Sequence, residues 1–178
     1  TGAHGLVVTE EMRVLVGAQA CLITLGSDDY PFDDLHGVTM HRDEFVVEEA
    51  VEDEDTGVVT EGYQTLSGQA IESDRIVLSW KDVLESVRRQ DGYNVVIHEF
   101  VHVLDMADGL ADGTPLLPAD IGRQEWADTL VAAYEALCAA ADSGQATALD
   151  PYAAESLEEF FAVASEAFFV APAALHAE

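Results

Sequence analysis

The sequence predicts an α+β fold, in which helices pack on one face of a small mixed sheet. Three observations lead to this prediction: strand candidates lie in the first half of the chain, helical stretches dominate the second half, and 49% of the 178 residues are hydrophobic. Strands followed by a run of helices are typical of α+β domains. The length suits one domain with a sizeable core. We expect residues 1–178 to form a single domain, trimmed at both ends from a longer chain.

The first half is predicted to hold one helix and two strands. Thr9 is a suitable N-cap for a helix that runs to about Leu25 and ends at residues 26–29. Pro31 and Gly37 break the chain that follows. Strands are predicted where β-branched and aromatic residues cluster, at residues 44–51 and 75–80, with a charged turn at residues 53–57 between them.

The second half is predicted to be helical. Residues 81–89 form a short helix or turn, and residues 94–107 form an apolar helix. Long helices are expected at residues 121–141, which are rich in Ala and Leu, and at residues 153–170. The stretches between them, 108–120 and 142–151, are expected to be loops because they contain Gly, Pro and Asp.

The apolar helix carries the most informative motif, His98-Glu99-Phe100-Val101-His102. This is the H-E-x-x-H pattern of zinc metallopeptidases, in which two His four residues apart lie on one helix face and bind one ion. Glu99 falls where it can activate a water on that ion. Polar groups on a helix that is apolar nearly all round are costly unless something satisfies them, which favours a zinc site over a chance match.

A catalytic zinc usually has a third protein ligand, and two places in the sequence offer one. Asp108 stands at the third-ligand position of the H-E-x-x-H-x-x-G-x-x-H pattern, but that pattern needs a turn glycine where this chain has Asp105. Glu159 and Glu166 lie on one face of the last predicted helix, crowded by phenylalanines. Spacing alone leaves both carboxylates open as the third ligand.

Four segments together resemble the Mlc titration factor A family of zinc peptidases. They are residues 98–105 with Met106, Gly109 and Gly113-Thr114-Pro115; Tyr152 with residues 159–169; Gly68-Gln69 with residues 76–80; and residues 18–22. The catalytic core of that family also resembles the anthrax lethal factor protease domain. The resemblance implies a zincin-like domain of the gluzincin type, with an active-site helix and C-terminal helices.

The resemblance also implies a role for each candidate residue. His98, His102 and Glu159 would be the zinc ligands, Glu99 the general base and Tyr152 a second active-site residue. Glu166 would then orient a ligand His. Asp105 would either do the same or bond backbone at the helix C-terminus, and the sequence favours neither.

The net charge excludes one class of function. Seven basic residues stand against 35 acidic ones, for a net charge of −28, which repels nucleic acid and anionic membranes. The acids are spread along the chain, which favours a surface suited to high salt over a field for cationic substrates. No run of 18 apolar residues suggests a membrane span. Cys21 and Cys138 are expected to be reduced thiols of a cytoplasmic protein.

Three hypotheses for function follow. The first is a zinc metallopeptidase that hydrolyses peptide bonds with a zinc-bound water activated by Glu99, as an aminopeptidase or on short peptides. The second, implied by the resemblance, is a regulatory protein that sequesters a transcriptional repressor of sugar uptake, with proteolysis secondary. The third is a purely structural zinc domain, which the intact Glu99 argues against because a structural site needs no base.

Overall fold

The computed structural model describes residues 1–26, 31–52, 59–71, 74–89 and 91–175. Short 3-10 turns precede or follow several of its helices. The helices and strands are, in chain order, α1 (Glu10–Ile23), β1 (Gly37–His41), β2 (Phe45–Glu52), β3 (Val59–Leu66), β4 (Gly68–Ile71), β5 (Arg75–Ser79), α2 (Trp80–Arg88), α3 (Val95–Asp105), α4 (Arg123–Asp142), α5 (Leu157–Val170) and α6 (Pro172–Leu175). The predicted α+β class is confirmed.

Three strands form a small mixed sheet with β5 in its centre. β5 runs parallel to β1 and antiparallel to β4, and the side chains of Ile76 and Leu78 on it are fully buried. The strand predicted at residues 75–80 is therefore confirmed, except that Trp80 begins α2. β1 was not predicted, because Gly37 was interpreted as a break. It becomes a strand by pairing with β5, which lies far along the chain.

Outside this sheet, β2 and β3 pair as an antiparallel two-stranded ribbon, in register from Phe45 opposite Leu66 to Glu52 opposite Val59. β2 confirms the strand predicted at residues 44–51. β3 was not predicted, because its polar sequence lacks the alternation that marks a half-buried strand. The turn predicted at residues 53–57 lies outside the described residues, as do residues 27–29 of the segment predicted to end α1.

Side-chain caps define where the helices begin. Thr9 accepts a hydrogen bond from the Met12 backbone N–H at 3.2 Å, as predicted, and the Asn94 side chain accepts one from Ile97 N–H at 3.0 Å. The last long helix was predicted to begin at residue 153. It begins instead at Leu157, because Ser156 caps it and residues 151–154 form a separate 3-10 turn.

Helix α3 lies at the centre of the fold. On one side, Val96 and Phe100 pack with α1 and the mixed sheet in the main hydrophobic core. On the other side, Ile97 and Val101 pack against Ala162 of α5. A helix enclosed in this way must satisfy its polar side chains internally. No helix in the described ranges is both long enough and apolar enough to cross a bilayer.

Candidate metal centre

The two histidines of α3 converge on one point. Asn94 fixes the start of the helix, and the four-residue spacing puts His98 and His102 on the same face. Their Nε2 atoms are 3.0 Å apart, and the two side chains are 13% and 14% exposed. Two imidazole nitrogens aimed at one place from a nearly buried helix can bind a single ion.

Glu159 brings a carboxylate to the same point from α5. It lies in the first turn of that helix, held by the Ser156 cap. Its Oε2 is 3.0 Å from His98 Nε2 and its Oε1 is 3.6 Å from His102 Nε2. One ligand atom from each of the three residues lies within 4.8 Å of the others, so the residues form a cluster able to hold a metal ion.

The donor set and an unsatisfied oxygen both fit a metal. Two imidazoles and one carboxylate are a common protein ligand set for catalytic zinc. Glu159 Oε2 is buried and has no hydrogen-bond partner among the described residues, because its short contact with His98 lacks hydrogen-bond geometry. A buried carboxylate oxygen without a partner is costly, and a bound cation would satisfy it.

Glu166, two turns beyond Glu159, contacts the other nitrogen of His98. Its Oε1 is 2.7 Å from His98 Nδ1, and its side chain is 5% exposed. When Nδ1 carries the proton and donates it to Glu166, the lone pair of Nε2 faces the cluster. The sequence left Glu159 and Glu166 open as third ligand. In the structure Glu159 is near the Nε2 atoms of both histidines, and Glu166 lies behind one of them.

The electrostatics of the metal-free cluster follow from these contacts. Burial alone would lower the pKa of His98, but its close contacts with the carboxylates of Glu159 and Glu166 outweigh burial and raise that pKa to about 10. Burial would likewise raise the pKa of Glu159, yet His102 and His98 hold it well below its usual range. Without an ion, a proton on His98 therefore balances the carboxylates, and a divalent cation would take its place.

Glu99 lies beside the cluster, against the sheet. Its carboxylate contacts Gly68 at the start of β4, and the residue is 5% exposed. Burial raises the pKa of Glu99, and the nearby His98 and His102 offset only part of that rise. A carboxylate with a raised pKa next to a metal-binding cluster has the properties of a general base that later returns its proton.

Tyr152 reaches the cluster from the 3-10 turn before α5. Asp150 fixes this turn by accepting a hydrogen bond from the Tyr152 backbone N–H at 3.0 Å. The centroids of the Tyr152 and His98 rings are 6.0 Å apart. Burial, followed by the negative charge of Glu159, raises the pKa of Tyr152. The phenol therefore stays protonated and can donate a hydrogen bond into the cleft.

Asp108 and Asp105 lie apart from the cluster. Asp108 is ion-paired with Arg123 at 2.9 Å, which leaves the weaker third-ligand alternative without support among the described residues. Asp105 is fully buried. Its Oδ2 accepts a hydrogen bond from the Gly113 backbone N–H at 2.9 Å. Of the two roles left open for Asp105, this contact fits a bond to backbone, although the bonded residue lies in the loop after α3 and not at the helix C-terminus.

A cleft of about 490 Å³ opens beside His98 and Glu99. The β3–β4 junction forms one wall. The residues between α2 and α3 that line the cleft are Arg89, Asp91, Gly92 and Tyr93, and residues 147–150 with Tyr152 line it from the other side. Arg89 lies in this lining and is already paired with Asp91 at 2.6 Å. The Arg89–Asp91 pair is neutral, so the acidic groups left in the lining are Asp150 and the buried Glu99 and Glu166.

Comparison with known proteins identifies the family. The sequence profile of the glucose-regulated metallo-peptidase M90 family matches residues 1–178, which is the whole chain. The chain belongs to the M90 family. Membership in a metallopeptidase family agrees with the His98–His102–Glu159 cluster. The predicted resemblance to the Mlc titration factor A family is confirmed at the level of a metallopeptidase family, and the identity of the metal and the likeness to the anthrax lethal factor domain stay predictions.

Relatives from bacteria show how much of an M90 protein this chain represents. It is 39% identical over 173 residues to Mlc titration factor A of Serratia proteamaculans, which covers 95% of this chain and 64% of that protein. The protein of the same name from Pectobacterium atrosepticum is 37% identical, with 94% and 63% covered. An uncharacterized protein of Synechocystis is 34% identical, with 94% and 62% covered. The chain thus spans just under two thirds of these relatives.

Sequence reasoning did not predict the contacts that three residues make at the site. Gly68 lies against the Glu99 side chain, Asn94 bonds to Glu166, and Gln19 bonds to Asn94. Gln19 and Gly68 did stand inside segments that resemble the family. Their contacts join residues far apart in the chain, so local spacing and composition gave no signal for them.

Proposed function

We propose that this chain is a zinc-dependent peptidase in which His98, His102 and Glu159 hold the ion. The observation that carries the proposal is the convergence of three ligand atoms from two helices within 4.8 Å of one another. One of the three residues, Glu159, has a buried oxygen with no hydrogen-bond partner in the part of the chain that the structure describes. A purely structural site is less consistent with the arrangement, because Glu99 and a cleft lie beside the cluster.

When bound, zinc would supply Lewis-acid chemistry, which polarises a scissile carbonyl and acidifies water. Glu99 would take a proton from the attacking water on its carboxylate and pass it to the nitrogen of the leaving amine. Tyr152 would donate its phenol proton in a hydrogen bond to the carbonyl oxygen, where negative charge develops. Glu166 would hold the Nδ1 proton of His98 and so keep Nε2 free.

For the substrate, we propose a short peptide whose free amino terminus lies in the cleft, so that the enzyme acts as an aminopeptidase. The support is electrostatic: the ion pair of Arg89 with Asp91 is neutral, and Asp150 remains as a negative charge in the cleft lining. A positively charged amino terminus is favoured in such surroundings and a carboxyl terminus is disfavoured.

A second candidate function is binding of a transcriptional repressor. It is favoured by the name Mlc titration factor A, which the relatives from Serratia and Pectobacterium carry. The two functions are compatible, because a repressor need not occupy the cleft in order to be sequestered.

Replacement of Glu99 by Gln tests the hydrolytic mechanism. The change keeps the size of the side chain and removes its basicity. We expect zinc content to stay at the wild-type level, while cleavage of a panel of short peptides falls by about 10²–10⁴-fold. Glu135→Gln, at an exposed position of α4, is the matched control and should cleave normally.

Two outcomes would redirect the proposal. Full cleavage by the Glu99→Gln variant with zinc bound would rule out Glu99 as the base. If the wild-type chain binds purified Mlc repressor but cleaves no peptide in the panel, the second candidate function replaces the first. If the variant loses cleavage and still binds the repressor, the two activities are separable.

A further inference from the structure

Gln19 of α1 is a buried polar residue outside the cluster. It is 8% exposed, and both ends of its amide are used: Nε2 donates to the Leu15 backbone carbonyl at 2.9 Å, and Oε1 accepts from Asn94 Nδ2 at 2.6 Å. A buried amide is retained at low cost only when it is satisfied in this way. The question is what this pairing of two helices achieves.

Backbone groups fix the orientation of both amides. The Leu15 carbonyl can only accept, so it must face the Gln19 NH₂ group and leave the Gln19 oxygen toward Asn94. The Ile97 N–H can only donate, so it must face the Asn94 oxygen at 3.0 Å. Asn94 is therefore held from both ends, with its NH₂ group directed to Gln19 and its oxygen capping α3.

From Asn94 the hydrogen bonds continue to the metal cluster. The Asn94 backbone N–H donates to Glu166 Oε2, and Glu166 Oε1 contacts His98 Nδ1 at 2.7 Å. Asn94 and Glu166 are each 4% exposed. The chain of contacts thus runs from α1 through the start of α3 and across to α5, and it ends on the ring of a proposed zinc ligand.

We propose that Gln19 is a positioning residue for the metal site, acting through Asn94 and Glu166 on the orientation of His98. The inference rests on the proposed zinc site. Because the two oxygens of Glu166 are held by different partners, a shift of Asn94 lets the carboxylate turn, and the His98 ring turns with it. Partners behind a metal ligand typically change metal affinity by about 10–100-fold. Gln19 is more remote, so we expect roughly a tenfold loss, at the low end of that range.

The first test replaces Gln19 with Met, which is similar in length and lacks both hydrogen-bonding groups. The readout is zinc affinity, measured by competition with a chelator at fixed pH, together with thermal unfolding. The matched control is Val16→Ala, a buried position one turn earlier on α1. We expect the control to unfold at a lower temperature with zinc affinity within twofold of wild type, while Gln19→Met loses about tenfold in affinity. Wild-type affinity in Gln19→Met, or equal losses in both variants, would overturn the proposal.

A double-mutant cycle tests the route. Asn94→Ser keeps a side-chain oxygen to cap α3 and removes the NH₂ group that reaches Gln19. If Gln19 acts through Asn94, the double variant binds zinc no more weakly than Asn94→Ser alone. Losses that simply multiply would show that Gln19 acts by another path, and the proposed route would be wrong.

A measurement without metal separates this inference from the proposed function. In the metal-free chain, the Nδ1 proton of His98 should give a slowly exchanging imidazole signal by NMR, because Glu166 holds it. We expect Gln19→Met to speed that exchange by several fold and Val16→Ala to leave it unchanged. If the wild-type chain fails to bind zinc, the metal site is wrong, and this exchange rate still decides whether Gln19 positions His98. An unchanged rate refutes the positioning role.

Discussion

At the candidate site, the addition of one methyl group at Gly68 should greatly reduce peptide cleavage. A Cβ atom added there would lie 2.4 Å from Glu99 Oε1 and 2.7 Å from Glu99 Cγ. The backbone of Gly68 is outside the left-handed region, so alanine is acceptable to the main chain itself. The conflict in Gly68→Ala is thus entirely with the Glu99 side chain.

The size of the displacement follows from these distances. An ordinary contact begins at 3.4 Å, so the Glu99 carboxylate must retreat by about 1 Å, a displacement that at a reacting group costs on the order of 10²-fold in rate. The strand has little freedom to move instead, because β4 is paired with the buried strand β5. The clash includes Cγ, so turning the carboxylate alone does not relieve it. We expect kcat/KM for peptide cleavage to fall about 100-fold, equivalent to about 2.7 kcal/mol.

The assay compares kcat and KM, zinc content and thermal unfolding of Gly68→Ala with those of Gly17→Ala. Gly17 lies in α1 with open space where its Cβ would stand, so alanine there should stabilise the helix by about 0.5–1 kcal/mol and leave cleavage unchanged. Gly68→Ala should keep its zinc and lose kcat. A Gly68→Ala chain that binds zinc and cleaves within threefold of wild type would refute the assigned position of the base.

Three further predictions concern the cluster itself. Glu159→Ala should weaken zinc binding by more than the roughly 100-fold that a supporting partner contributes, as measured by chelator competition; unchanged affinity would remove Glu159 from the ligand set. Tyr152→Phe should lower kcat by about 100-fold with KM and zinc content unchanged, and equal kcat in the two proteins would leave the phenol no part in the reaction. The metal-free chain should be stabilised most by the cluster between about pH 4.5 and 6.5. The raised pKa of His98 contributes stability that is complete below 6.5 and is lost as pH rises through about 10. The lowered pKa of Glu159 contributes stability that is complete above 4.5 and is lost on acidification. Thermal unfolding across pH, with the zinc-loaded chain as reference, checks this window, and parallel curves for the two forms would contradict it.

The histidine pair could be predicted from the sequence because its geometry is local. Residues four apart on a helix share a face whatever the helix packs against, and the apolar neighbours of His98 and His102 indicated that this helix is buried. The third ligand was harder to predict. Glu159 and Glu166 lie on one face of α5, and which of them meets the Nε2 atoms depends on how α5 is rotated against α3. Local spacing does not encode that rotation, so the choice between them came from the resemblance.

The difference between local and long-range interactions also explains which parts of the fold were not predicted. β1 is short and becomes a strand through pairing with β5, and the role of Gly68 arises only when β4 lies beside α3. The start of α5 was misplaced for a local reason, since Asp150 and Ser156 are both good caps and the 3-10 turn between them looks helical in sequence. In our proposal this turn has a role in function, because it carries Tyr152, while the helix that follows carries Glu159.

The charge balance of the cluster bears on why the zinc is proposed to be catalytic rather than structural. In a structural zinc site the metal supplies the folding energy, and the chain unfolds without it. Without zinc, a protonated His98 would offset the charges of Glu159 and Glu166, and α3 is packed on both sides by apolar side chains. We therefore expect the fold around the site to persist when the ion is removed. Removal of zinc by a chelator should abolish cleavage and leave the helical circular dichroism spectrum intact at room temperature. Loss of that spectrum on chelation would instead favour a structural metal.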